Sequence, residues 1–201
     1  MIYLFLLFFG ILGAGIKYID SAYDDKIFNK KIALCIAPFL GILWAYTMLI
    51  NQVAATILLA VIIGVLFKGK IDNIAHLAGL LVIFAIIFIA GVQLMFIPLV
   101  FLGFAALMDE VGNDFVDKRK NKLDLNKFSH RFVVSFFDQR WVLKVAILVI
   151  GIIGVIPLVF FLAMVSFDYA YLGVRFYSKT KQNIRVPSVQ ATEMESLRNL
   201  G

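Results

Sequence analysis

Four stretches of this chain carry no Asp, Glu, Lys or Arg: residues 1–16, 32–67, 74–108 and 145–167. A helix needs roughly 20 mostly apolar residues to cross a hydrocarbon layer of ~30 Å at 1.5 Å per residue. The run 32–67 is about twice that long and is interrupted by Asn51-Gln52, which predicts helices over 32–50 and 53–70. The run 74–108 has Gly91, Gln93 and Pro98 near its centre and predicts a second hairpin, 74–91 and 94–111. Residues 1–19 give one more helix. Residues 145–174 are uncharged except for Asp168 and contain Gly151, Gly154 and Pro157. One long helix and a hairpin broken near Gly154-Pro157 both fit that segment. The expected fold is all-α, a polytopic transmembrane helical bundle of six or seven crossings over residues 1–177. A polar tail, 178–201, disordered or loosely helical, follows it.

Composition agrees with the pattern. Of the 201 residues, 62% are hydrophobic and 16% charged, against the 45–50% apolar share that is roughly usual for soluble domains. A single cysteine, Cys35, excludes a disulfide scaffold. The net charge of +6 is read as loop charge beside a membrane and not as a nucleic-acid surface. Lys and Arg number four in 17–31, two in 68–73 and eight in 109–144, and none occurs in the turns 51–52 and 91–93. The positive-inside rule therefore sets those three segments in the cytoplasm and the N-terminus outside, in an integral protein of the cell membrane. Keeping the five basic residues from Arg175 onward inside requires the seventh crossing. Gly13-Ala14-Gly15 would suit signal cleavage, but the basic leading region of a signal peptide is missing.

The acids gather on the same side: ten of thirteen lie in those three segments. Asp20 and Asp24 are four apart; Glu110 and Asp114 are four apart, with Asp117 three further on. Such spacings place side chains on one helical face, where like charges repel unless a cation lies between them. Hard oxygen ligands from two helices suit Mg²⁺, which keeps waters and bridges to substrate phosphates. Lys68, Lys70 and Asn73 offer ammonium groups and an amide to a metal-bound diphosphate. Ion pairing with neighbouring lysines and arginines is the alternative explanation of the same acids. His76 has no second histidine or cysteine nearby, so zinc is not expected.

The order of these segments resembles the UbiA superfamily of intramembrane prenyltransferases. Ile16-Lys17-Tyr18-Ile19-Asp20-Ser21-Ala22-Tyr23-Asp24 matches the last two aspartates of that family's first motif, NDxxDxxxD. Lys68-Gly69-Lys70-Ile71-Asp72-Asn73 resembles its lysine-rich loop. Asp109-Glu110-Val111-Gly112-Asn113-Asp114 resembles its second acidic motif, and Ser135-Phe136-Phe137-Asp138-Gln139-Arg140 the lead into the next helix. The resemblance implies one or two Mg²⁺ ions on Asp20, Asp24, Glu110, Asp114 and Asp117. The substrates implied are a prenyl diphosphate and a lipid-soluble acceptor. Lys68, Lys70 and Arg140 would neutralise the leaving diphosphate. Lys17, where the family has an aspartate, would be a fixed cation replacing part of one metal site. Two other classes, a transporter or channel and a structural membrane subunit, are also compatible with the chain. The helix centres are bare of charge, which counts against transport. The stretch 123–144, with phenylalanines among basic residues, suits the membrane surface or a docking partner.

Overall fold

A computed structural model describes residues 2–69, 73–119 and 127–198, with side chains over positions 3–182. Among the described residues there are eight helices and no strand: α1 (Ile2–Tyr23), α2 (Lys30–Ile50), α3 (Gln52–Phe67), α4 (Ile74–Ala90), α5 (Phe96–Arg119), α6 (Phe128–Asp138), α7 (Trp141–Ile152) and α8 (Val159–Arg198). Four are long and apolar enough to cross a membrane, over Tyr3–Tyr23, Lys30–Ile50, Phe96–Arg119 and Val159–Gln182. Phe88, Ile89 and Ile97 stand fully outward, as lipid-facing side chains do.

The breaks have local causes. Asn51 adopts an extended backbone (φ −157°), and its side-chain oxygen accepts from the N–H groups of Val53 and Ala54 at 2.8 and 3.0 Å. One capping amide thus divides the uncharged run 32–67. Pro98 occupies the third position of α5, where its missing N–H would have had no helical partner. The segment 145–174 takes its hairpin alternative: α7 ends at Ile152, Gly154 adopts φ +83°, and α8 begins two residues after Pro157. The backbone of the tail continues α8 as far as Arg198, which is the helical alternative for that segment. Helix α5 runs eight residues beyond the expected end at position 111 and carries Asp114 and Asp117 as helical residues.

Three pairs of helices pack side by side and parallel: α2 with α4 and α3 with α5, each two steps apart in the chain, and α1 with the last helix, α8. In the α1–α8 pair, Phe5 packs against Phe160 with the rings tilted, Ser166 donates to the Leu6 carbonyl, and Ser21 meets Ser178. In the α3–α5 pair, Met95 N–H, just before α5, donates to Thr56 Oγ1 at one end and Lys68 reaches Asp114 at the other. Small residues allow the approach: a Cβ on Gly13 would stand 2.0 Å from the Phe167 carbonyl oxygen, and one on Gly41 would stand 2.6 Å from that of Gly79. Close backbone contact of this kind is how helices associate where lipid removes the hydrophobic drive. The registers gather the end of α1, the start of α4, the latter part of α5, the turn before α7 and the middle of α8 at one end of the bundle. The turns at the opposite end, 51, 91–95 and 153–158, hold no charged residue.

Candidate functional site

A cavity of about 410 Å³ opens at the charged end. Its mouth is lined by Asp20, Asp24, His76, Asn113, Arg140 and Tyr171, and its depth by Trp44, Leu80, Ile83 and Phe167. Trp44 lies fourteen residues into α2, roughly 20 Å along the helix axis from its charged start. The lining therefore passes from ionic to hydrocarbon along one axis. Trp44 and Phe167 meet edge to face, with centroids 6.3 Å apart, and close the apolar part.

Asp20 is the most constrained group at the mouth. Tyr171 donates its hydroxyl to Asp20 Oδ2 at 3.2 Å, and His76 Nε2 lies 3.2 Å from Asp20 Oδ1. The histidine's orientation follows from a helix cap. Asn73 Oδ1 accepts the backbone N–H of His76 at 2.9 Å, which leaves the Asn73 amide nitrogen to donate to His76 Nδ1 at 3.1 Å. With Nδ1 accepting, the imidazole proton belongs on Nε2, which lies close to Asp20 without forming an aligned hydrogen bond to it. Asn73, expected near a diphosphate, thus caps α4 and fixes a histidine.

The acids of α5 are used differently. Asp109, 2% exposed, accepts the N–H groups of Val142 and Leu143 at 2.9 and 2.7 Å. It caps α7 from another helix, at two of the four donors a helix start leaves open. Glu110, 3% exposed, receives Arg140 Nη2 at 3.0 Å, and Asp114 receives Lys68 Nζ at 2.6 Å. Arg140 is held in the left-handed region (φ 51°, ψ 52°), a conformation that costs a non-glycine residue roughly 1–2 kcal/mol. The strain aims its guanidinium between Glu110 and the ring of Tyr171, 6.0 Å away. Burial opposes the charge on Arg140, but the carboxylate of Glu110 outweighs it, so the group stays cationic. Gly112 is required by packing: a Cβ there would stand 2.0 Å from the ring of Phe137.

Of the expected ligands, Asp20 and Asp24 are brought to one cavity, while Glu110 and Asp114 are engaged by Arg140 and Lys68. Asp117 and Lys17 line a second, polar cavity beside the first; Lys17 also pairs with Asp25 at 3.8 Å. Lys70 lies outside the described residues. No group of three or more His, Cys, Asp or Glu placed to hold a metal occurs among the described residues. Two carboxylates, Asp20 and Asp24, and the amide of Asn113 are the hard-oxygen set facing the main cavity, and Mg²⁺ takes one or two carboxylates when phosphates supply the rest. Sequence reasoning missed the parts played by His76, Asn113 and Tyr171. It also missed the buried pair Lys144–Asp168, in which Lys144 additionally donates to the Gln139 carbonyl. The lone acid of an otherwise uncharged run, Asp168, was the one signal available for that pair.

No family model matches the chain, and neither a curated protein nor a solved structure matches it.

Proposed function

We propose that this protein is an intramembrane enzyme of the prenyltransferase type, acting on a prenyl diphosphate at the cytoplasmic face of the cell membrane. The observation that carries the reading is the cavity whose mouth is ionic and whose depth is apolar. Such a space takes an amphiphile head outward and tail inward, burying most of it as ligand sites do. Trp44, Leu80, Ile83 and Phe167 would line the isoprenoid tail and exclude water from an allylic cation. Asp20, Asp24 and Asn113 would hold Mg²⁺, which when bound neutralises the diphosphate. Arg140, preset by Glu110, offers the diphosphate a charged donor of fixed direction. Tyr171 holds the Asp20 carboxylate by its hydroxyl, and His76 lies against the other oxygen. In this reading Glu110 and Asp114 orient cations and do not bind metal.

The topology we propose has seven crossings with the N-terminus outside. It is supported by the parallel packing of α1 and α8, which makes α7 and the turn 153–158 an outward pass and α8 the return. The test is direct. The full chain, purified in detergent, is given Mg²⁺ and prenyl diphosphates of graded length, and diphosphate release is measured. Changing Asp20 and Asp24 together to Asn is expected to lower turnover by roughly a hundredfold in a protein that still elutes as a folded species. Unchanged turnover, or cation flux in liposomes abolished by the same pair, would overturn the reading.

A further inference from the structure

The second cavity, about 180 Å³, has one apolar lining residue, Leu172. Its charges balance: Asp117, Asp138 and Asp168 face Lys17, Arg140 and Arg175. The amides of Asn113 and Gln139 and the hydroxyl-bearing Tyr171 complete the wall. Several of these groups are fixed before any ligand arrives. Arg175 Nη1 donates to both oxygens of Asp138 at 3.1 and 3.0 Å, Lys144 holds Asp168, and Glu110 holds Arg140. A chamber with no excess charge does not concentrate anions, and with so little apolar wall it does not retain a lipid tail. It presents donors and acceptors in fixed places, the chemistry that recognises hydroxyl and amine groups.

Asn113, Arg140 and Tyr171 line both this chamber and the main cavity. Whatever the chamber holds therefore sits against the same three residues as the headgroup of the lipid. We infer that the chamber is the second-substrate subsite and takes a small hydrophilic molecule bearing a hydroxyl or amine, in place of the lipid-soluble acceptor that the sequence resemblance implies. The inference rests on the prenyl diphosphate reading of the main cavity. In the transfer, the oxygen or nitrogen of this molecule forms a bond to the first prenyl carbon. The bond from that carbon to the diphosphate oxygen breaks, the electron pair leaves with the diphosphate, and the O–H or N–H proton passes to it.

The experiment uses the full chain in detergent with Mg²⁺ and farnesyl diphosphate, and separate arms of glycerol, ethanolamine, serine and hexadecanol, with products identified by mass spectrometry. A prenylated polar product is expected. Leu172→Phe, which fills the chamber, is expected to raise KM for that polar acceptor about tenfold, as loss of one bound group does, with KM for farnesyl diphosphate unmoved. Gln139→Leu, at the turn before α7, serves as the second variant should Leu172→Phe not fold. Product from hexadecanol alone overturns the inference and leaves the main-cavity reading standing. An equal rise in both KM values also overturns it. No release of diphosphate in any arm, water included, overturns the proposed function and this inference with it.

Discussion

Two helices of this protein carry acids at the same spacing, and the bundle uses them for opposite purposes. On α1, Asp20 and Asp24 open onto the main cavity. On α5, Glu110 and Asp114 turn to Arg140 and Lys68, and their neighbour Asp109 is spent on the start of α7. The difference lies in what packs against each face. Helix α5 lies between α3 and α7, whose ends deliver a lysine and a strained arginine. The end of α1 meets the start of α4 and the middle of α8, which deliver a histidine and a tyrosine. Equal spacing on two helices is therefore no evidence of equal chemistry.

On stability, the comparison predicts large effects at α5 and small ones at α1. Asp109→Ala strips two buried N–H groups of their acceptor and should cost about 3 kcal/mol, read as lowered resistance to thermal unfolding in detergent. Glu110→Ala leaves Arg140 strained and without this carboxylate. Because the arginine is partly exposed, a loss of about 2 kcal/mol is expected, less than for a fully buried pair. Glu110→Leu with Arg140→Met should recover most of that loss and still fail to bind a prenyl diphosphate. Gly112→Ala forces the ring of Phe137 away from α5, a cost of about 1–2 kcal/mol, with α6 loosened first in hydrogen exchange.

Smaller effects sharpen the contrast. Asp114→Ala breaks a pair whose side chains are 25% and 32% exposed, so the change should fall below about 1 kcal/mol and shrink with added salt. Asp20→Asn keeps an oxygen for Tyr171 and should barely move the unfolding midpoint, while turnover falls. A large stability loss at Asp20 with none at Asp109 would invert the comparison and with it the division of roles.

Much of this was legible in the chain. Uncharged runs with Asn51, Gly91 and Gly154 at their breaks give the apolar helices, because a span must be long and apolar and a turn needs a cap or a positive φ. Length alone could not choose between one helix and a hairpin over 145–174, since both bury the same residues. The capping role of Asp109 was not readable, because its partners are backbone groups 33 and 34 residues away in the chain. Nor was the role of Tyr171, since a tyrosine amid apolar residues looks the same whether it packs or donates to a carboxylate.

Periodicity and charge count determined the helical class, the breaks and the end of the bundle where ionic groups collect, for these depend on local composition and on the cost of charge in hydrocarbon. Which carboxylates face a cavity and which are neutralised was decided by tertiary structure alone. An ion pair depends on the register between helices, and that register is set by close contacts such as Gly13 on Phe167 and Gly41 on Gly79, which no spacing within one helix encodes.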